Sequence, residues 1–584
     1  MDYLESYEYW SNDLYFDAAT RNELASIKDR REIMERFYKN LEFGTGGLRG
    51  IIGAGTNRMN IYTVARATQG LCNYILASVA SSAREGGADH MPPLCIVVAY
   101  DSRRLSKEFA ERVALVAAGN GIRAYVFPEI APTPVLSFAI RRLGCISGVV
   151  ITASHNPPEY NGYKAYWSDG GQVPYPRDEE IIRCVDAITS YDEIKIADRA
   201  HAEADGLFLT TPREVTDDYI NIIKEYAVDA DVINKYGGSL TIVYTPLNGT
   251  GNVPVRRVLS EFGFDGVRVV PEQEGPDPNF TTVGYPNPED PKAFVLAKKL
   301  AAQIDADIII ATDPDADRVG VVAKDKTGGY AHLSGNMTGT LLTHYILSHK
   351  KANGTLPDNA AVVSTIVSTK ITREIAEKFG AAYFDVLTGF KYIGEKIKEF
   401  EESGSHSYAF GFEESFGYLP GPYARDKDGV ATTMLVCELA AYYKRRGMTL
   451  FDGLDEIFNE YGYYKESTKT ITHEGVEGAE RIKAIMDSLR ENEILTIGGA
   501  PVTETRDYKT GIEKNTATGA EKKITLPVSD VLYYATGDGS WFCVRPSGTE
   551  PKIKMYFGVR AESAGDADKK LESFMREASA LLGK

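Results

Sequence analysis

From residue 94 onward, apolar runs alternate with segments of helical periodicity. Residues 94–100, L-C-I-V-V-A-Y, form a near-continuous apolar run, the pattern of a strand buried on both faces. Residues 107–120 carry apolar positions at helical spacing. Residues 123–127 read as a strand, 133–143 as a helix and 148–151 as the next strand. The same order recurs at 240–245, 253–262, 267–270, 291–303 and 306–311. It recurs again at 361–365, 370–379, 381–385, 390–402 and 407–410. Strand–helix–strand–helix–strand, three times over, predicts an α/β protein with three topologically related domains, each a mixed sheet covered by helices. From about residue 462 the pattern changes. A helix at 478–490, short strands at 525–526, 531–535, 541–544 and 553–559, and an amphipathic helix at 564–582 predict an α+β C-terminal domain. Linkers are expected in the polar, glycine-bearing stretches 201–211, 324–329 and 461–467. The expected domains are therefore 1–208, 209–325, 326–461 and 462–584. Residues 1–40 read as helices packed on the first domain, with Tyr7, Tyr9 and Trp10 in its core. Residues 269–291, rich in Pro, Glu and Asn, read as one long loop.

Each third strand runs into a polar loop, at the strand end where open α/β sheets bind ligands. Residues 152–164 read T-A-S-H-N-P-P-E-Y-N-G-Y-K. Pro157 and Pro158 bar a helix, so Ser154 stands in irregular backbone. A hydroxyl there, once activated by its neighbours, is a phosphoryl acceptor. Residues 312–318 read T-D-P-D-A-D-R. Asp313, Asp315 and Asp317 would raise one another's pKa unless a cation sits among them. An EF-hand loop wants Gly at its sixth position and Glu at its twelfth; Arg318 and Lys324 stand there instead. The spacing favours Mg²⁺ bound by a few carboxylates and a phosphate shared with Ser154. Residues 411–421, G-F-E-E-S-F-G-Y-L-P-G, offer Glu413 and Ser415 to sugar hydroxyls. In the last segment, residues 545–552 read R-P-S-G-T-E-P-K. Arg545 gives a fork for a phosphate, and Ser547, Gly548 and Thr549 add donors in a concave nest.

With 584 residues the chain is too long for one core. Its 43% hydrophobic and 25% charged content is that of a soluble globular protein. A net charge of −17 argues against nucleic acid or an anionic membrane as partner. Anionic small molecules must then be drawn in by local cations. Arg49, Lys164, Arg318, Lys391, Lys427, Arg545 and Lys552 all stand in or beside the loops. The six cysteines show no metal spacing and read as free thiols of a reducing, cytoplasmic protein. No signal peptide is visible at the N-terminus, and no apolar run approaches the roughly eighteen residues that span a bilayer.

Taken together, the four loops resemble the α-D-phosphohexomutase superfamily, the group of phosphoglucomutases and phosphomannomutases, over nearly the whole chain and in the family's order. The resemblance implies four domains around a central cleft. It implies that Ser154 carries a phosphate and that Asp313, Asp315 and Asp317 hold Mg²⁺ beside it. The loop of Arg545 and Lys552 would grip the distal phosphate of a sugar phosphate, and Glu413 and Ser415 would read its hydroxyls. Thr388, Gly389, Phe390 and Lys391 look like the family's second sugar-facing turn. Gly44, Thr45, Gly46, Gly47, Leu48 and Arg49 match the G-T-x-G-x-R opening, with Arg49 facing the phosphoserine. Many bacterial members read E-x-S-G-H in the sugar loop. Here Glu413, Glu414, Ser415, Phe416 and Gly417 lack the histidine, which resembles the glucose-preferring branch. The general acid/base stays open between Lys164 and His155, with Lys427 a further cation near the substrate. The implied activity is an isomerisation of glucose 1-phosphate and glucose 6-phosphate through glucose 1,6-bisphosphate, with a hinge at 461–467. Mannose or pentose phosphates, or a non-catalytic sugar-phosphate sensor, are the alternatives.

Overall fold

Strands buried along their whole length need cover on both faces, and that requirement sets the layers of the first half of the chain. The computed structural model describes residues 2–42, 47–84, 94–472, 476–546 and 552–581. It divides into two compact units. The first comprises Met1–Leu333, Phe390–Tyr408 and Ser415–Gly447; the second comprises Ser334–Gly389, Ala409–Glu414 and Met448–Lys584.

In the first unit, β1 (Gly47–Ile51), β2 (Cys95–Tyr100), β3 (Arg123–Val126), β4 (Ser147–Ile151), β5 (Tyr160–Trp167) and β6 (Phe208–Thr210) form one sheet in the order β1-β5-β4-β2-β3-β6. All residues of β2 and β4 are buried. β2 is parallel to β3 and β4, and β5 is antiparallel to β4. A second sheet holds β7 (Ile242–Thr245), β8 (Val267–Val269), β9 (Ile308–Thr312), β10 (Val319–Lys324) and β11 (Tyr330–Leu333) in the order β11-β10-β9-β7-β8. The run β3-β2-β4-β5 and the run β8-β7-β9-β10 share one topology: second, first, third, then an antiparallel fourth. In the second unit, β12 (Ala360–Thr365) lies between β13 (Ala382–Val386) and β14 (Ser407–Glu413), again second, first, third. The expected repeat is present, and each polar loop follows the third strand.

The N-terminal helices Tyr3–Asn12, Ala18–Ser26 and Arg30–Phe37 gather Trp10, Phe16, Leu24 and Phe37 with Tyr62 into a buried aromatic cluster, with Tyr7 and Tyr9 against it. All six cysteines are free, and all but Cys184 are buried. No helix among the described residues is long and apolar enough to cross a membrane.

The C-terminal sheet runs, in space, Tyr463–Thr472, Lys552–Ala561, Trp541–Pro546, Leu532–Thr536, Ala500–Asp507, Ile512–Asn515 and Glu521–Lys523, every neighbour antiparallel. Helices Val476–Glu491 and Ala564–Ala580 accompany it. Residues 525–526 are not a strand. The polar strands Ala500–Asp507, Ile512–Asn515 and Glu521–Lys523 went unrecognised because only one of their faces, or neither, is buried. The polar stretches read as linkers are structured. Residues 324–329 turn the β10–β11 hairpin, and residues 208–210 are β6, paired to β3. Gly462, at φ +95°, ends helix Leu450–Tyr461, and strand Tyr463–Thr472 begins at the next residue. That strand is polar because it is the sheet's edge.

Glu466 on this edge strand has a buried Oε1 without a hydrogen-bond partner. Burial raises its pKa to about 7, against the opposing influence of Thr369, Lys370 and Asn336. A carboxyl whose folded pKa exceeds its unfolded one contributes stability that is complete below the unfolded value and lost as pH rises through the folded value. Between about pH 4.5 and 7 the cost reaches about 1–3 kcal/mol. Glu466→Gln should therefore melt above the parent at pH 8 and with it near pH 4, as followed by differential scanning calorimetry.

Candidate active site

Ser154 follows β4 and is 3% exposed, with φ +51°. A left-handed serine costs about 1 kcal/mol, so its neighbours must hold it there. Both ends of its peptide are held from Asp101. The Thr152 hydroxyl donates to Asp101 Oδ2 at 2.7 Å and accepts the Ser154 N–H at 2.8 Å. The Arg103 guanidinium is fixed by Asp101 Oδ2 at 3.1 Å and donates to the Ser154 carbonyl. It also donates to the carbonyls of Asn156 at 2.6 Å, Pro157 at 2.8 Å and Tyr160 at 3.2 Å. One buried arginine thus shapes the whole turn. Asp101, Arg103 and Thr152 were missed in the sequence. The available signal was their position after β2 or β4, at the carboxyl ends of adjacent central strands.

The second sheet delivers the acidic loop to this serine. Ser154 Oγ donates to Asp313 Oδ2 at 2.7 Å. Asp313, Asp315 and Asp317 are each at most 1% exposed, and a ligand oxygen from each lies within 4.8 Å of the others. Ala316 turns the chain at φ +52°. Asp313 Oδ1 accepts the N–H groups of Asp317 and Arg318 at 3.1 and 3.0 Å. Thr133, at the start of helix Thr133–Leu143, donates its N–H to the Asp315 carbonyl at 2.9 Å and its hydroxyl to Asp315 Oδ2 at 3.0 Å. Gly429 donates to the Ala316 carbonyl at 3.0 Å; a Cβ there would stand 2.6 Å from that oxygen, so the approach requires glycine.

Cations balance the carboxylates. Lys164, on β5, reaches Asp315 Oδ2 at 2.7 Å and Asp317 Oδ2 at 3.2 Å. Lys427 reaches Asp317 Oδ2 at 3.1 Å and Asp426 at 3.1 Å. Its place is set by Asp428, the N-cap of helix Gly429–Arg445. Burial pushes Asp317 up, but Lys164, Lys427 and Arg318 outweigh it and hold the carboxyl below the usual range. Burial, with Asp315 and Asp317, pushes Asp313 well above it. Asp315 Oδ1 and Asp317 Oδ1 are buried and without a hydrogen-bond partner. Orphaned carboxylate oxygens beside a serine hydroxyl are the donor set a hard divalent cation takes, and the three aspartates could hold one.

His155 Nδ1 lies 3.2 Å from Ser154 Oγ. Burial, then Arg318 and Arg49, hold its pKa well below the ordinary value, so it is neutral at pH 7. Arg49, on β1, is exposed and donates to Asn156 Oδ1 at 3.2 Å. Arg318 pairs with Glu289. Ser154, His155, Lys164, Arg49, Arg318, Lys427 and the three aspartates therefore converge. Lys391 does not join them directly: its ammonium faces Asp178 at 3.4 Å. Ser415 sits half-buried in the turn before β15 (Gly417–Leu419).

In the second unit, Glu413 is 5% exposed and its Oε1 accepts the Gly389 N–H at 2.9 Å. Gly389, at φ +124°, is where the turn containing Thr388 needs glycine. The two expected sugar turns, Thr388–Gly389 and Glu413, thus lie together. Arg545 stands opposite Lys554 in the C-terminal sheet, and Lys552 opposite Thr472. Ser547, Gly548 and Thr549, and likewise Gly44, Thr45 and Gly46, lie outside the described residues.

Four family models match along the chain. Phosphoglucomutase/phosphomannomutase alpha/beta/alpha domain I covers residues 40–192, domain II 217–328, domain III 334–461 and the C-terminal domain 500–572. The chain belongs to the phosphoglucomutase/phosphomannomutase family. A phosphoglucomutase of Staphylococcus haemolyticus is 35% identical over 527 residues, 90% of this chain and 92% of that one. A phosphoglucomutase of Staphylococcus aureus is 35% identical over 547 residues, 93% of this chain and 94% of that one. Parafusin from Paramecium shares the fold at a TM-score of 0.66 and 18% identity, covering 94% of this chain and 95% of that one. A family protein from Burkholderia thailandensis does so at 0.63 and 20%, covering 92% and 97%. The three α/β/α domains and the C-terminal domain are those of this family, and membership makes the chain an isomerase.

Arg103→Lys keeps the charge but not the planar fork that serves several carbonyls at once. We expect kcat for phosphoryl transfer to fall roughly 10–100-fold, the cost of a small misplacement of the reacting group, with KM changed far less. Steady-state kinetics checks both.

Proposed function

We propose that the protein interconverts α-D-glucose 1-phosphate and glucose 6-phosphate through a phosphate carried on Ser154. The observation that carries the reading is the Ser154 hydroxyl, buried and 2.7 Å from Asp313 inside a cluster of three carboxylates. Phosphorylated Ser154 donates its phosphoryl group to a hydroxyl of the sugar phosphate, giving glucose 1,6-bisphosphate. The bisphosphate turns over, and its other phosphate returns to Ser154. Asp313, Asp315, Asp317 and the Ser154 phosphate would hold Mg²⁺, which when bound supplies charge neutralisation at the transferring phosphoryl group. Lys164 and Lys427 carry fixed positive charge beside it. Neutral His155, 3.2 Å from the serine oxygen, is suited to take or give its proton. Arg49 and Arg318 would contact phosphate oxygens.

Glu413 and Ser415, with Thr388, Gly389 and Lys391, are assigned to the sugar. Arg545, Ser547, Gly548, Thr549 and Lys552 are assigned to the non-reacting phosphate, so that remote binding energy fixes the reacting end. The missing histidine in Glu413-Glu414-Ser415-Phe416-Gly417 supports glucose over mannose. The substrates are small sugar phosphates, and the reducing cytoplasm is the location that six free thiols suit.

Purified enzyme, Mg²⁺ and a trace of glucose 1,6-bisphosphate should isomerise glucose 1-phosphate at least about tenfold more efficiently, in kcat/KM, than mannose or ribose 1-phosphate, a difference of about 1.4 kcal/mol. Ser154→Ala should abolish all of these activities. A preference for another sugar would move the assignment within the family, and parental turnover by Ser154→Ala would remove the phosphoserine from it.

A further inference from the structure

Residues 275–290 form a long loop between helix Pro271–Glu274 and the 3-10 turn Pro291–Phe294. Such a length without secondary structure is uncommon inside a compact domain and calls for a reason. The loop is well tied. Asp277 accepts the N–H groups of Asn279 and Thr281 at 2.9 and 2.7 Å, and Asn287 bonds the Tyr285 hydroxyl at 3.0 Å and the Glu289 N–H at 3.0 Å. Three of its side chains each touch a different residue of the serine site. The Phe280 ring lies 5.0 Å from the Arg103 guanidinium. The Tyr285 ring meets His155 edge-on, centroids 6.0 Å apart. Glu289 pairs with Arg318. Phe280 is fully buried at φ +45°, a conformation a bulky residue adopts only when its surroundings enforce it.

We propose that residues 275–290 are the cover that keeps water from the phosphoserine, with Phe280 and Tyr285 as positioning residues that hold Arg103 and His155 under it. The proposal rests on the phosphoserine reading above. The reaction to be suppressed is simple: a water oxygen attacks the phosphorus, the P–Oγ bond of Ser154 breaks, Oγ takes a proton and inorganic phosphate leaves. A mutase must donate its phosphate to sugar faster than to water, and exclusion of water is the physical means. An apolar ring on Arg103 and an aromatic edge on His155 occupy space beside the serine that water would otherwise fill.

The full-length enzyme is charged with radiolabelled glucose 1,6-bisphosphate and freed of excess. Label loss to inorganic phosphate without sugar is then compared with transfer to added glucose 6-phosphate. Phe280→Leu and Tyr285→Ala should each raise the ratio of hydrolysis to transfer by about tenfold or more, where a purely structural loss would lower both rates together. Tyr285 is partly exposed at 36%, so its variant decides the matter if Phe280→Leu does not fold. A ratio within about twofold of the parent in a variant with the parent's melting midpoint overturns the cover alone. A parent enzyme that never takes label overturns the phosphoserine, and the cover with it.

Discussion

Three carboxylates withdrawn from water beside a serine hydroxyl are the constraint from which the rest follows. Burying like charges at this separation is costly unless cations share the space. Lys164 from one sheet and Lys427 from the start of a long helix supply that charge. Two carboxylate oxygens still lack partners, so the cluster is incompletely satisfied by the protein's own groups. The three aspartates could hold a metal ion, and one bound there would complete the balance that the side chains leave open. Two sheets of matching topology make this possible, because each delivers its loop from the end of its third strand.

The serine is held as firmly as the charges around it. Asp101 accepts from Arg103, Thr152 and Ser106, and through the first two it fixes both sides of the Ser154 peptide. A left-handed serine and a left-handed phenylalanine then both contact the same arginine. Strain of this kind persists where surrounding contacts over-determine the backbone. Here those contacts are hydrogen bonds to an arginine and a ring packed upon it.

Much of this was legible in the sequence, and for definable reasons. Fully buried strands write themselves as apolar runs, so β2, β4 and β9 were found nearly to the residue. Loops that gather several special residues within a few positions are conspicuous in a sequence, so Ser154 and the three aspartates stood out. Arg103 and Thr133 did not. Their work is done across 51 and 182 residues of chain, and an arginine or threonine outside a motif carries no mark of its partner. Phe280 was hidden for the same reason, although the unusual length of its loop was visible. Tyr463–Thr472 at the sheet edge and Ala500–Asp507 inside the sheet went unrecognised because half-exposed strands are as polar as linkers. The polar composition that suggested flexible joints at 324–329 and 461–467 belongs to a hairpin turn and a sheet edge.

The most direct measurement is peptide mass analysis of the enzyme after incubation with Mg²⁺ and glucose 1,6-bisphosphate, before and after addition of excess glucose 6-phosphate. The expected result is a phosphate on the peptide containing Ser154, present after charging and passed to sugar on the second addition. A Ser154 that remains unmodified while the isomerisation proceeds at its full rate would contradict the central claim.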